Sequence, residues 1–291
     1  MKRQLLMCPP THFEVSYVIN PWMNQGAVRV REAQRQWQQL HDALAEHVEV
    51  LCIEPQAGLP DMVFTANAGV VVADRAMASH FLPQERRGEE AFFKGWFREH
   101  GYQLVELPED VGFEGAGDCL LDPAEGFLWT GLGPRTEPEA YAYLSRAFGR
   151  EVVTLRLTDP RYYHLDTCFC PLEGGHVMYH PGAFHATSRS EIERRVAPNL
   201  RIEVDAEDAA QFACNAVNVG RNVFLHRASA ALRGQLVAAG YVVHALELGE
   251  FLKAGGSAKC LTLTLGAAEA HSRRERTPLH RWPVAELRGV A

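Results

Sequence analysis

Three short segments of this 291-residue chain combine side chains that could carry out chemistry. The first holds His164 and Asp166, two residues apart. In a strand both would point to one face, because strand side chains alternate with period two. A carboxylate beside an imidazole raises its basicity and suits proton transfer. A solvated strand end would explain the same pair, so this motif alone leaves its role open.

The second segment runs from Glu114 to Asp118 and places Gly-Ala-Gly between two carboxylates. Small residues let backbone or substrate approach closely. Two carboxylates suit a guanidinium, which is a planar fork of donors that pairs bidentately with a carboxylate. A plain turn, with glycine for its φ angles and aspartate for side-chain bonding, explains the residues as well. Both interpretations stand at this point.

The third segment, residues 255–262, predicts a flexible loop that enters a strand at Cys260. A cysteine at such a junction can open onto a channel, and nearby positive charge favours its thiolate. Lys259 supplies a charge, although its side chain should point away. Cys214 is the alternative nucleophile, but its apolar flanks predict a buried strand. We therefore favour Cys260.

Thirteen histidines and seven cysteines raise the alternative of a zinc site. The candidate ligand sets are His176, His180 and His185, or His164 with Cys168 and Cys170. Neither set has a closed two-plus-two zinc spacing. Residues 131–135 lack the third glycine of a dinucleotide fingerprint, and the loop at 255–262 lacks the Gly-Lys-Ser/Thr of a phosphate loop. The sequence therefore predicts neither a metal nor an organic cofactor.

A repeat along the chain supplies the elements that must position these segments. Four times, two short strands joined by a turn precede a helix and then a further strand. The units start near residues 61, 118, 166 and 211, so the spacings are 57, 48 and 45 residues. The predicted helices span residues 86–99, 136–148, 188–197 and 228–239.

The two ends of the chain complete a fifth unit. Strands at 4–8 and 48–53 flank a helix. Its apolar residues have the spacing of one helical face: Val30, Ala33, Trp37, Leu40 and Leu44. The last strand, 260–265, would pair with this unit and close a ring without free sheet edges. This predicts an α/β protein, a five-bladed α/β propeller of ββαβ repeats over residues 1–266. Residues 267–291 are expected to form a solvated C-terminal extension; a two-layer α/β sandwich is the alternative fold.

The amino-acid composition and charge of the chain limit the classes of partner that it can bind. Hydrophobic residues make up 47 % of the chain and charged residues 22 %, as in soluble globular proteins. The net charge of −7 argues against nucleic acid, whose affinity comes mainly from lysine and arginine. No run approaches the about 18 apolar residues of a membrane helix, and no signal peptide is evident. We expect a cytoplasmic protein with free thiols, a small-molecule substrate and no membrane partner; homo-oligomer formation is left open.

In their order along the chain, the three segments at 114–118, 164–167 and 255–262 resemble those of the guanidino-group-modifying enzymes. This is the superfamily of arginine deiminase, dimethylarginine dimethylaminohydrolase and glycine amidinotransferase. Residues 164–167 look like the catalytic His-x-Asp, and residues 114–118 are similar to Glu-Gly-Gly-Asp with one residue extra. The glycines ahead of Cys260 look like the nucleophile segment. The resemblance covers about residues 4–265 and implies the five-bladed pentein fold.

Residues 7–10, 19–23 and 61–69 make the chain most similar to arginine dihydrolase, the N-terminal part of a longer cyanobacterial enzyme. We expect any function of that enzyme's C-terminal extension to be missing here. Deiminases typically carry aspartate where this chain has Asn67, and the asparagine is implicated in letting the reaction pass citrulline. The alternatives are a deiminase, a dimethylarginine hydrolase, an amidinotransferase or a non-enzymatic propeller that binds an amino acid.

The resemblance also implies roles for individual residues. Cys260 would be the nucleophile, with His164 as acid and base and Asn67 as the third catalytic residue. The implied substrate contacts are Asp118, Asp166, Glu114, Arg135, Arg86 and Asn20. Arg86 and Arg135 match positions that hold the substrate carboxylate, to which a bidentate arginine is suited. A solvated helix start is the alternative for Arg86, and a loop-shaping role is the alternative for Asn20.

Overall fold

Each of the five repeated units folds as a three-stranded sheet. The computed structural model describes residues 3–266, so the predicted extension at 267–291 lies outside the described residues. The strands are β1 Gln4–Met7, β2 Glu49–Cys52, β3 Gly69–Val72, β4 Arg75–Ala78, β5 Gln103–Val105, β6 Cys119–Leu121, β7 Leu128–Leu132, β8 Val152–Arg156, β9 Phe169–Pro171, β10 Val177–Tyr179, β11 Arg201–Glu203, β12 Val217–Val219, β13 Asn222–Leu225, β14 Val242–Ala245 and β15 Leu263–Leu265.

The same pairing recurs in every sheet. An inner strand is antiparallel to a middle strand, which is parallel to an outer strand. The sheet orders are β3-β4-β5, β6-β7-β8, β9-β10-β11, β12-β13-β14 and β15-β1-β2. In the last sheet Leu5 lies opposite Thr264, so the two ends of the described chain share one blade and close the ring. The predicted five-bladed α/β propeller is confirmed.

Helices cover the blades and bury their apolar faces against them. They are α1 Val30–Ala45, α2 Glu90–Glu99, α3 Ala140–Phe148, α4 Ala186–Arg195, α5 Ala206–Ala210, α6 Ala230–Ala238 and α7 Gly249–Leu252. The predicted face of α1 is buried except for Val30, which is exposed at the first turn. Gln36 is buried beside that face because its Oε1 accepts the backbone N–H of Glu250 at 2.9 Å. None of the helices in residues 3–266 has the length and apolarity to cross a bilayer.

The inner strands begin later than the alternating pattern predicts. Residues 65–68, 115–117 and 165–167 form single 3-10 turns before β3, β6 and β9. His164 is extended, but Asp166 lies inside its turn, so the prediction that both share one strand face is wrong. The turn forms because the Thr167 hydroxyl donates to His164 O at 2.6 Å and Cys168 N donates to Leu165 O at 3.1 Å. Further turns precede β12 and β15.

Candidate active site

The five turns ahead of the inner strands each carry a buried polar or thiol side chain one to three residues before the strand. They are Asn67 before β3, Asp118 before β6, Asp166 before β9, Asn215 before β12 and Cys260 before β15. Because the inner strands surround one axis, the turns meet at the same end of the central channel. Ring closure therefore collects residues from all five blades.

Cys260 is the thiol at this end of the channel. Its Sγ lies 3.5 Å from Asp166 Oδ2, and the Asn215 amide donates to it at 3.1 Å. Only 3 % of the residue is exposed, and it lines a small cavity. Burial, reinforced by the charge of Asp166, raises the pKa of Cys260 well above its ordinary value of 9.0. Lys259 points away, as predicted: its ammonium donates to Thr262 O at 3.3 Å and lines the central cavity of about 430 Å³.

This raised thiol pKa gives a testable pH profile. We expect iodoacetamide to alkylate Cys260 slowly at neutral pH, with a rate that rises about tenfold per pH unit through pH 9, because the thiolate is the reactive form. Mass spectrometry of the peptide that contains Cys260, over time at each pH, is the measurement. A Cys52→Ser variant, which removes the exposed thiol, is the control and should keep the same profile. A plateau below pH 8 would contradict the burial argument.

His164 belongs to a chain of charged groups. Its Nε2 lies 2.8 Å from Glu114 Oε2, and Arg135 Nη1 donates to the two oxygens of Glu114 at 2.8 and 3.1 Å. Burial opposes ionisation of Glu114, but Arg135 and His164 together lower its pKa. An ionised Glu114 accepts a hydrogen bond from the imidazole and fixes its orientation. The chain therefore suits proton transfer by His164.

Gly117 allows these groups to approach one another. A Cβ at this position would lie 2.5 Å from Asn67 Nδ2 and 3.0 Å from the His164 Nδ1 atom. Gly117 thus accommodates neighbouring protein side chains, whereas the sequence predicted that backbone or substrate would approach this segment.

The two predicted aspartates differ in their hydrogen bonding. The oxygens of Asp118 accept from the Thr136 hydroxyl at 2.8 Å and from Leu165 N at 3.0 Å. Burial raises the pKa of Asp118 to about 6. Asp166 contacts Cys260 Sγ through Oδ2, whereas its buried Oδ1 has no hydrogen-bond partner within residues 3–266. Burial raises the pKa of Asp166 as well. Asp166 therefore has a free acceptor beside the thiol, and Asp118 has a partner on each oxygen.

Asn67 and Arg86 form a second buried group at the cavity wall. Asn67 Nδ2 donates to Glu114 O at 3.0 Å, and its Oδ1 accepts from Arg86 Nη1 at 2.8 Å. Arg86 also donates to both oxygens of Glu89, at 2.9 and 2.8 Å. Arg86 is only 3 % exposed, so the alternative of a solvated helix start is wrong. Arg86, Arg135 and Asn67 all line the small cavity.

Asn20 both lines the cavity and shapes its covering loop. Its amide donates to Ala254 O at 3.0 Å and its Oδ1 accepts from Trp22 N at 2.9 Å. Arg135 Nη2 holds the same loop by donating to Ile19 O at 2.6 Å. The cavity beneath has a volume of about 10 Å³, enough for one water molecule. The loop at residues 19–23 therefore covers the site and leaves little space beneath it.

Two residues of this site escaped the sequence reasoning. Asp61 lines the cavity with a buried Oδ1 that has no partner within residues 3–266, and burial raises its pKa. Asn215 contacts the thiol directly. The repeat offered a signal for Asn215, since it stands at the register position that Asn67 holds, two residues before the inner strand. Asp61 has no comparable signal.

Within residues 3–266, the residues considered for a zinc site and for an alternative nucleophile lie apart from the small cavity or from one another. The proposed zinc-binding histidines have separate partners: His176 with Tyr241 at 3.1 Å, His180 with Val204 at 2.8 Å and His185 with Thr187 at 2.9 Å. Over residues 3–266, no three His, Cys, Asp or Glu side chains come together to hold a metal ion. Cys214 is buried in the hydrophobic core and does not line the small cavity.

A closed ring of five ββαβ blades, with a cysteine, a histidine and carboxylates gathered at one end, defines the class of guanidino-group-modifying enzymes. The family model described as N,N dimethylarginine dimethylhydrolase, eukaryotic, matches residues 17–266. The chain therefore belongs to the dimethylarginine dimethylaminohydrolase family.

Individual relatives agree with this assignment. The chain is 52 % identical to a bifunctional arginine dihydrolase/ornithine cyclodeaminase of Nostoc, over 89 % of this chain and 37 % of that protein. It is 41 % identical to the dimethylarginine dimethylaminohydrolase of Mycobacterium tuberculosis, over 90 % of this chain and 86 % of that protein. A substrate-bound N-terminal domain of a cyanobacterial arginine dihydrolase superimposes with a TM-score of 0.90 at 49 % identity, covering 91 % of this chain and 98 % of that one. The chain thus spans about 37 % of the bifunctional cyanobacterial relatives.

Proposed function

We propose that the chain is an arginine dihydrolase, which converts arginine and two waters into ornithine, carbon dioxide and two ammonia through a covalent intermediate on Cys260. The observation that carries the proposal is the Cys260 thiol at the wall of a small cavity, 3.5 Å from a carboxylate oxygen of Asp166. The identities of 52 % and 49 % to proteins named as arginine dihydrolases support arginine as substrate.

The charge of the site favours a cationic substrate. Two buried carboxylate oxygens of the site have no hydrogen-bond partner within residues 3–266: Oδ1 of Asp61, which lines the cavity, and Oδ1 of Asp166, whose other oxygen contacts Cys260. Burial raises the pKa of both carboxyls, which means that neighbouring groups do not fully compensate their ionised forms. A guanidinium beside Asp166 would supply that compensation and would also favour the thiolate of Cys260. Binding of the substrate would therefore also activate the nucleophile.

The first hydrolysis proceeds in two steps. The Cys260 thiolate attacks the guanidinium carbon, and the tetrahedral adduct breaks its C–N bond as ammonia leaves with a proton from His164. This leaves an S-alkylthiouronium on the enzyme. His164 then removes a proton from water, which attacks the same carbon, and the C–S bond breaks to release the thiolate and citrulline. Glu114 holds the imidazole in place through both steps.

The second hydrolysis repeats this sequence on citrulline. Cys260 attacks the ureido carbon, ammonia leaves, and water opens the resulting thiocarbamate to a carbamate that loses carbon dioxide. Asn67 supports this step because it is a neutral donor at the cavity wall. One N–H of its Nδ2 atom is used by Glu114 O, and the other is free to donate to the ureido oxygen. An aspartate there would instead favour a cation and release the neutral product.

The remaining contacts hold the amino-acid end of the substrate. Arg86 and Arg135 line the cavity and provide guanidinium groups for the α-carboxylate. The covering loop at residues 19–23 must move to admit arginine, because the cavity has room for only one water. Asp118 supports the site indirectly, since it fixes Leu165 N next to His164.

Product stoichiometry tests the proposal. We expect incubation with arginine to yield two ammonia per ornithine, measured by enzymatic ammonia assay and amino-acid chromatography. One ammonia per citrulline would replace the proposal with a deiminase. The family model and the Mycobacterium tuberculosis relative favour dimethylarginine as a second candidate substrate, which would yield dimethylamine and citrulline. Binding of arginine without any product would indicate a non-enzymatic propeller.

A substitution at Asn67 tests the second step separately. We expect Asn67→Asp to accumulate citrulline, with ornithine formation reduced by about tenfold or more, because the neutral intermediate loses its donor. The ratio of citrulline to ornithine over time is the measurement. The Arg86 contact should persist, since a carboxylate also accepts from guanidinium. Unchanged ornithine formation would show that Asn67 does not retain citrulline.

A further inference from the structure

The side chain of Asn215 uses its whole hydrogen-bonding capacity on two segments that flank the thiol. Its Oδ1 accepts from Ser257 N and from Cys260 N, each at 3.1 Å. Its Nδ2 donates to Asp166 O and to Cys260 Sγ, also at 3.1 Å each. An amide offers two N–H donors and one oxygen with two lone pairs, so no capacity remains. The residue is 0 % exposed, and water therefore does not substitute for these contacts.

These contacts tie three blades together. Asn215 stands at the entry of its own blade, Asp166 belongs to the preceding blade, and Cys260 enters the strand that closes the ring. The backbone adds a further link, since Lys259 N donates to Asn215 O at 3.2 Å. Loss of the amide would free the Cys260 turn and the Asp166 turn to move independently.

The backbone before Asn215 adopts an unfavourable conformation, which places the Asn215 side chain at the thiol. Phe212 has a φ of +57°, in the left-handed region that a bulky side chain rarely adopts. Its carbonyl accepts from Asn215 N at 3.0 Å, and its ring packs edge-on against Trp22 at 4.8 Å. Such backbone strain persists only where the surrounding structure holds it, and it concentrates at functional sites.

We propose that Asn215 is a positioning residue that fixes the Cys260 sulfur against Asp166 and supports its thiolate form. This inference rests on the proposed role of Cys260 as nucleophile. An N–H that donates to sulfur stabilises the anion more than the thiol, because hydrogen bonds to charged acceptors are stronger. Asn215 does this without adding charge, next to a carboxylate whose own charge disfavours the thiolate. The same contact lowers the pKa of Cys260, against the larger opposing effects of burial and Asp166.

Asn215→Asp is the main test, because it preserves shape and the acceptor for Ser257 N and Cys260 N while it replaces the donor to sulfur with an oxygen. We expect kcat to fall about 100-fold with KM changed by less than about threefold. We also expect the thiol pKa, followed by the ultraviolet absorbance of the thiolate relative to Cys260→Ser, to rise by about one unit or more. The added carboxylate contributes to this rise through its charge, so the neutral variant Asn215→Ser decides the role of the N–H: a purely structural role would leave the thiol pKa of Asn215→Ser where it is.

Asn218→Asp is the matched control. Asn218 is also a buried asparagine of the same blade, and its amide bonds Gly220 O, Asn222 O and Glu173 N without touching the Cys260 turn. It should lose stability without a change in kcat or thiol pKa. Asn215→Ser covers the case in which the aspartate variant does not fold, since its hydroxyl is small and neutral; its thiol pKa should also rise.

The outcomes separate the two proposals. A thiol pKa and a kcat in Asn215→Asp or Asn215→Ser that equal those of the wild type or of Asn218→Asp would overturn the role of Asn215 alone. Full activity of Cys260→Ser would overturn the nucleophile assignment and, with it, the basis for Asn215. A raised thiol pKa with reduced kcat in the neutral Asn215→Ser variant, together with an unaffected control, would establish the positioning role.

Discussion

Cys260→Ser is expected to lose arginine turnover by about 10⁴-fold or more while arginine still binds. A serine hydroxyl is a much weaker nucleophile than a thiolate, and Cys260 is the one thiol among the described residues that line the small cavity. The cavity wall, Asp166 and the two arginines stay in place, so the binding contacts survive. Ammonia release and calorimetric titration with arginine measure the two effects. Retention of more than about one per cent of the activity would refute the assignment.

Cys214→Ser is the matched control for this experiment. Cys214 is a fully buried thiol whose pKa is also raised by burial, but it packs within the core and does not line the small cavity. We expect this variant to keep its kcat, with a modest loss of stability from burial of a hydroxyl. Loss of turnover in Cys214→Ser but not in Cys260→Ser would make Cys214 the nucleophile.

His164→Gln is expected to reduce kcat by about 10³-fold, because it removes both the acid that protonates ammonia and the base that activates water. Glutamine can still donate a hydrogen bond to Glu114, which preserves local structure. Mass spectrometry of acid-quenched protein, read at the peptide that contains Cys260, shows which of the two steps slows more: an added mass means that water attack does. Ammonia release under single-turnover conditions measures the step before hydrolysis.

His180→Gln is the control for the histidine. His180 is buried and bonds Val204 O at 2.8 Å, outside the small cavity. We expect wild-type kcat and no covalent adduct. Equal losses in both histidine variants would mean that the effect is structural, and unchanged kcat in His164→Gln would remove His164 from the mechanism.

The sequence alone determined the architecture of this protein. The change between period-two and helical patterning repeats along the chain, and the unpaired final strand requires a partner at the other end. Both are local properties, set by which side chains a strand or helix must bury. The boundaries were less well predicted, because turns such as 165–167 depend on hydrogen bonds that the apolar pattern does not encode.

Most residues of the candidate site were also predicted from the sequence, by the order of the three motifs along the chain and by the asparagine at position 67. Their relationships came only from the tertiary structure. Arg86 stands in a charged run yet is buried against Glu89 and Asn67. Asp118 has both oxygens occupied by groups from other turns. The reason is physical: only the Arg86–Glu89 pair is local, whereas Asn67 and Arg86 are 19 positions apart within one blade and Asp118 and Leu165 are 47 positions apart in two blades. Such distances exist only once each blade has folded and the blades have closed around one axis.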